Sequence, residues 1–75
     1  MNYRATKLYK TFSPYLATAF AEGFCEGEGA TEEAQLTAWQ WLVDSGDAWR
    51  LQGWFGRTAQ SLIDQGIIKA ARRIR

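Results

Sequence analysis

Apolar residues recur every three or four positions along three stretches of this chain, the spacing that places them on one face of a helix. Nothing alternates with the two-residue period of a strand for long enough to indicate a sheet. The apolar stripes are Leu16, Ala19 and Phe20; Leu36, Trp39, Leu42 and Val43; and Phe55, Ala59, Leu62 and Ile63. The pattern predicts an all-α fold, a small compact bundle of three main helices near 14–22, 32–45 and 56–65, with a short helical turn at 48–52.

Residues at the predicted helix boundaries agree with this pattern. Ser13-Pro14 is typical of a helix start, because serine can cap and proline needs no bonded N–H at the first helical position. Thr31 is a second capping residue, and two glutamates follow it at the positive end of the helix dipole. Gly46 and Gly66 are placed to end the second and third helices in the left-handed conformation.

One helix-ending sequence motif occurs twice, twenty residues apart. The identical pairs are Gln40 and Gln60, Leu42 and Leu62, Asp44 and Asp64, and Gly46 and Gly66. A solenoid needs at least three repeats. We therefore interpret the repeated motif as two helices whose C-terminal ends have the same capping requirements. After the second copy, Ile67 is expected to fold back onto Leu62.

The length of 75 residues predicts a single domain spanning residues 1–75. Charge is segregated along it although the net charge is only +1. The first ten residues carry three cations (Arg4, Lys7 and Lys10), and residues 69–75 carry four (Lys69, Arg72, Arg73 and Arg75). We expect flexible, solvated basic ends at 1–10 and 69–75 and an acidic, glycine-rich loop at 25–30.

Composition argues against most catalytic chemistry. The chain has no histidine and a single cysteine, Cys25, so neither an internal disulfide nor a zinc site is expected. Asp44, Asp47 and Asp64 could in principle pair for acid–base catalysis. Asp44 and Asp64, however, occupy equivalent places near predicted helix ends, where polar residues normally meet water, and a structural role is favoured. We therefore expect no catalytic residue, metal or cofactor. No apolar run is long enough for a membrane span, which favours a cytoplasmic protein.

Binding is the remaining class of function, and aromatic residues are its best candidates. At helical spacing the four tryptophans are mostly core residues, but Trp41 lies off its apolar stripe and Trp54 is flanked by glycines. Phe55 is expected in the core, with Trp54 pointing another way, across the surface or a partner. Arg57 is expected in the first turn of the last helix, where it can hold an anion or pair with Asp64 or Asp47. We predict a partner-binding surface of Trp41, Trp54 and Arg57.

The basic C-terminal segment leaves an alternative open. Lys69, Arg72, Arg73 and Arg75 have the charge to contact nucleic acid, with little reading of sequence. A small structural homodimer is a further alternative, since self-association would bury apolar surface that one copy of a small domain leaves exposed.

The segment from Trp39 to Ile67, WQxLVDSGxAWxLQGxFGRTAxxLIxxGI, resembles a family of small uncharacterised proteins of tailed bacteriophages. The resemblance implies a viral accessory protein made inside an infected bacterium, and it implies no mechanism. Together with the aromatic candidates, it favours a non-enzymatic protein that binds a host or viral macromolecule, most readily a protein.

Overall fold

A computed structural model describes residues 3–22, 31–51 and 53–71. Over these ranges every regular element is helical and no strand occurs, so the predicted all-α bundle is confirmed. The expectations for the 25–30 loop, Cys25, Arg72, Arg73 and Arg75 lie outside the described residues.

The described part of the chain forms a 3₁₀ turn and five α-helices. After the 3₁₀ turn Tyr3–Ala5 come α1 (Lys7–Thr11), α2 (Pro14–Glu22), α3 (Glu32–Ser45), α4 (Asp47–Arg50) and α5 (Gly53–Asp64). The predicted spans of α2 and α3 are confirmed, and α4 is the predicted short turn. The predicted start of α5 at residue 56 is wrong by three residues, because the helix continues back to Gly53.

The predicted helix starts are confirmed by their capping hydrogen bonds. The Ser13 hydroxyl accepts from the N–H of Leu16 at 3.3 Å, and Thr31 Oγ1 accepts from the N–H of Ala34 at 3.1 Å. Each bond satisfies one of the N–H groups that the first helical turn leaves without a partner. These short-range contacts explain why both boundaries were readable from the sequence.

Two glycines end α3 and α5 in the left-handed conformation, with φ of 85° at Gly46 and 75° at Gly66. At the second end the N–H of Gly66 donates to Ile63 at 2.9 Å and the N–H of Ile67 donates to Leu62 at 3.0 Å, which is a Schellman ending. The backbone of Ile67 therefore folds back onto Leu62 as expected. Ile67 is 39% exposed, whereas the next residue, Ile68, is 3% exposed and belongs to the core.

Helix α3 lies at the centre of the fold. Helix α2 packs along it, the 3₁₀ turn and α1 contact it, and α4 links it to α5. The buried cluster takes side chains from α2 to α5 and from the residues that follow α1 and α5, namely Phe12, Ala17, Ala38, Trp39, Leu42, Val43, Ala48, Phe55, Ala59 and Ile68. Between α3 and α5 the contact is made largely by rings, with the centroids of Trp39 and Phe55 5.4 Å apart. The predicted stripes on α3 and α5 therefore face one core.

None of the described helices combines the length and the apolar character that crossing a bilayer requires.

Candidate interaction surface

A polar network joins the N-terminal segment to the end of α3. Arg4 donates two hydrogen bonds to the Asp44 carboxylate, from Nε and Nη2, each 2.7 Å long. The Tyr9 hydroxyl donates to the same carboxylate at 2.6 Å, and Gln40 Nε2 approaches it at 3.2 Å. The side chains of Arg4 and Asp44 are only 14% and 12% exposed, so the pair is largely withdrawn from water. The expectation that Asp44 meets water is wrong.

Burial and hydrogen bonding act on Asp44 in opposite directions. Burial alone would raise the pKa of the Asp44 carboxyl, because a charge is less stable away from water. The hydrogen bonds from Arg4, Tyr9 and Gln40, together with the positive charge of Arg4, outweigh burial, so the pKa of Asp44 lies below its ordinary value. Asp44 in turn raises the pKa of Arg4, chiefly through the hydrogen bond between the two side chains. Both groups are charged at neutral pH.

The same network holds the segment that follows α5. The side-chain amide of the buried Gln40 donates to the carbonyl of Lys69 at 2.9 Å and accepts from the N–H of Lys69 at 2.7 Å. Arg4 Nη2 also donates to the carbonyl of Ala70 at 2.7 Å. Four residues of the ends that were expected to be flexible, Arg4, Tyr9, Lys69 and Ala70, are thus hydrogen-bonded to α3 directly or through Arg4. The flexibility of 1–10 and 69–75 itself stays a prediction.

Trp54 lies at the edge of a cluster of three aromatic rings. Its centroid is 4.2 Å from that of Phe55 and 6.1 Å from that of Trp39. Phe55 and Trp39 are buried, as predicted for both, and Trp54 is 38% exposed. Phe55 thus lies in the core and Trp54 reaches the surface, as predicted. The prediction that the two rings point different ways is wrong, because both residues belong to the first turn of α5 and the ring centroids are only 4.2 Å apart.

Trp49 extends the exposed aromatic area on the other flank of α5. Its ring lies over Gly56, where a Cβ would stand 3.4 Å from Trp49 Cε3. The ring is 48% exposed, and the neighbouring Leu51 is 36% exposed. Helical spacing in the sequence favoured a core position for Trp49, and this is wrong. The four-residue α4 buries Ala48 and leaves the next side chain at the surface.

Arg57 lies on the outward side of α5 between these two flanks. Because α5 begins at Gly53, Arg57 is the fifth residue of the helix and does not open it, contrary to the prediction. Its side chain nevertheless reaches back to the helix start, and a Cβ on Gly53 would stand 3.3 Å from Arg57 Nη1. Within the described residues Arg57 makes no ion pair, so its predicted pairing with Asp47 or Asp64 is not seen. Asp47 lies 3.8 Å from Arg50 instead.

The structure separates Trp41 from the other predicted surface residues. Trp41 is half-buried, and its ring meets Phe12 edge-on at 6.5 Å, while Phe12 contacts Phe20 at 5.3 Å. Trp54 belongs to the other aromatic group, with Trp39 and Phe55. We therefore define the aromatic surface by Trp49, Leu51, Trp54 and Arg57. It keeps two of the three predicted residues, and sequence reasoning missed Trp49 and Leu51, although the brevity of the 48–52 turn indicated their exposure.

Across the described ranges, no three His, Cys, Asp or Glu side chains lie close enough together to hold a metal ion. The fold and surface define a small all-helical protein that presents exposed aromatic rings and an arginine at the corner between its last two helices. Residues 24–75 match the family model described as Domain of unknown function (DUF7417), and the chain belongs to that family. Neither the curated proteins nor the solved structures include a match to this chain.

Proposed function

We propose that this protein is a non-enzymatic binding protein that docks a partner protein on its aromatic surface. The observation that carries the proposal is the position of Trp54, a partly exposed ring seated on two buried rings. Such a ring loses little side-chain freedom on binding because the core already restrains it, and preorganisation of this kind improves affinity. Tryptophan is also among the residues most enriched at the centres of binding interfaces.

The area that remains exposed is large enough to matter. With about 250 Å² of surface on a tryptophan, the exposed parts of Trp49 and Trp54 amount to roughly 200 Å². Burying that area at about 25 cal/mol per Å² contributes about 5 kcal/mol before the costs of association. This is comparable to the energy concentrated in a few central residues of measured interfaces.

Arg57 indicates the chemistry of the partner. A guanidinium held beside the first turn of α5 lies near the positive end of that helix, which disfavours a cation and favours an incoming anion. A carboxylate placed next to an apolar cavity on the partner would meet both the charge and the rings. The proposed occupant is therefore a protein that offers an apolar cavity for Trp54 with an acidic residue at its rim.

The sequence resemblance supplies the proposed setting, an accessory protein of a tailed bacteriophage that acts in the cytoplasm of the infected bacterium on a host or viral protein. The absence of a histidine and the solvent-facing position of the candidate residues support a binding role over catalysis.

The test is affinity capture from bacterial and infected-cell lysates, followed by titration of each captured protein against purified variants in a calorimeter. Trp54→Ala is expected to weaken binding by roughly thirtyfold, the equivalent of about 2 kcal/mol for a central interface residue. Arg57→Gln is expected to weaken it less, with an effect that diminishes as salt rises. Ser61→Ala, an exposed change on the same helix, is the matched control and should bind as the unaltered protein does.

Circular dichroism of each variant accompanies the titration. Helix content should persist in Trp54→Ala, and its loss would show that the ring serves the core instead. Full affinity in Trp54→Ala would refute the aromatic surface as the docking site. Light scattering at several concentrations tests the homodimer alternative, and a dimer that Trp54→Ala dissociates would replace the proposed partner by a second copy.

A further inference from the structure

The two basic ends of the chain meet on one side of the fold. Arg4 bonds to Asp44 on α3 and to the carbonyl of Ala70, so it connects the N-terminal segment to the residues after α5. Lys7 follows Arg4 by three residues and Lys69 precedes Ala70. From chain geometry and the length of one arginine side chain, their backbones lie within about 20 Å of each other.

The exposed charges of the two segments that meet here are all positive. Lys7, Lys10 and Lys69 are exposed, and neither residues 3–11 nor residues 67–71 contain an acidic residue. Arg4 is paired with Asp44, so the lysines are the cations that these segments offer to a ligand. Three more arginines, Arg72, Arg73 and Arg75, follow in the sequence. We define the basic end by Lys7, Lys10 and Lys69.

We propose that the basic end binds the phosphate backbone of double-stranded nucleic acid, as a second interaction surface that does not rest on the aromatic surface. A duplex presents one phosphate charge per 1.7 Å of its axis, so about 20 Å of it offers roughly a dozen phosphates to this cluster. The basic end supplies cations without base-reading side chains on a long helix, and binding is therefore independent of sequence.

The arrangement favours nucleic acid over an anionic membrane or an acidic protein. Insertion into a membrane interface needs an apolar face, but α1 turns Leu8 and the residue at its end, Phe12, towards the core. Within residues 3–11 and 67–71 the one large apolar side chain classed as exposed is Ile67. A protein partner would likewise require a desolvated apolar centre, which these lysines do not surround.

The experiment measures binding of the full chain to a labelled 30-base-pair duplex of random sequence by fluorescence anisotropy between 50 and 200 mM salt. Each lysine that contacts a phosphate contributes about 0.9 to the slope of log K against log salt. The double variant Lys7→Gln with Lys10→Gln should therefore reduce the magnitude of the slope by about 1.8. Between 50 and 200 mM salt, the factor by which its affinity falls should be about twelve times smaller than for the unaltered chain.

The matched control for each single lysine variant is Arg50→Gln, which removes one exposed charge from α4. It should leave the slope unchanged, whereas Lys7→Gln and Lys10→Gln each lower it by about 0.9. An equal effect of Arg50→Gln would show that net charge alone acts and would overturn the site. A slope that is unchanged by Lys7→Gln and Lys10→Gln would assign binding to the C-terminal arginines and would also overturn the proposed site.

Competition separates the sources of negative charge. Unlabelled duplex should displace the labelled probe, while polyglutamate and vesicles of phosphatidylglycerol at equal charge should displace it poorly. Displacement by polyglutamate as effective as by duplex would overturn the assignment to nucleic acid, and so would preferential binding to the vesicles.

Discussion

The polar network at Asp44 makes the sharpest test of how this small fold is held together. Asp44→Asn keeps the size of the side chain but removes the charge that receives four hydrogen bonds from Arg4, Tyr9 and Gln40. An amide offers one accepting oxygen and turns two N–H donors towards a guanidinium and a hydroxyl that also donate. Arg4 then keeps Ala70 as an acceptor but loses its counter-charge.

The expected cost follows from burial. Exposed ion pairs contribute about 0–1 kcal/mol, whereas loss of one partner from a buried pair costs about 3–5 kcal/mol. With side chains 12% and 14% exposed, the pair lies near the buried limit, and we expect a loss of about 3 kcal/mol. A 75-residue domain has about 4–11 kcal/mol in total, so the variant should melt roughly 15 °C lower.

The matched control is Asp64→Asn. Asp64 occupies the equivalent place at the end of α5 and accepts a hydrogen bond from Gln60 at 2.9 Å, but it is exposed. Its replacement should change the free energy of unfolding by less than about 0.5 kcal/mol. Both variants are measured by urea unfolding followed by circular dichroism at pH 7. Equal destabilisation by the two changes would refute the assignment of stability to the network.

The pH dependence provides a second check. The folded pKa of Asp44 lies below its ordinary value of 3.8, so its contribution is complete well above pH 3.8 and is lost as pH falls through the folded pKa. Asparagine does not titrate, so the stability gap between the unaltered protein and Asp44→Asn should narrow in acid. A gap that stays constant down to pH 2 would contradict the lowered pKa.

Two further predictions concern the core and the helix ends. Trp39→Ala should cost about 3–5 kcal/mol because the ring is buried in contact with Trp54 and Phe55, and a melting curve unchanged from that of the unaltered protein would contradict the role of this ring cluster in the core. Gly46→Ala and Gly66→Ala should each cost about 1–2 kcal/mol in urea unfolding. A Cβ would meet no other atom at either position, so the expected cost comes only from the positive φ. An alanine that stabilises the protein at either position would contradict this reasoning.

Much of the fold could be predicted because its signals are local. Capping hydroxyls, the Pro14 start and the two left-handed glycines act within four residues of themselves, so the sequence contains the whole interaction. The apolar stripes are equally local, since helix geometry alone decides which residues share a face. The start of α5 was misplaced because Gly53 is a poor helix former, and ring contacts with the buried Trp39 compensate for it there.

The candidate site was predicted less completely. Trp54 and Arg57 were predicted from their neighbours in the sequence, but the position of the Trp49 ring over α5 depends on Gly56, seven residues later. Trp41 was predicted to be at the surface because it lies off the apolar stripe of its own helix. Its contact with Phe12 could not be predicted in this way, because Phe12 lies 29 positions earlier in the chain. No local sequence pattern predicts that Arg4 joins the two basic ends, because the hydrogen-bond partners of Arg4 are 40 and 66 positions away.

The repeated motif shows most clearly which features the sequence determines and which depend on the tertiary structure. In both copies the glutamine donates to the aspartate four residues on, at 3.2 Å and 2.9 Å, and a left-handed glycine follows two residues later. These features come from the residues alone, since a helix turn brings such neighbours together whatever surrounds it. Only the packing of the whole chain made Asp44 a buried anchor and left Asp64 in water, because Arg4 and Tyr9 approach the first copy from segments distant in the sequence.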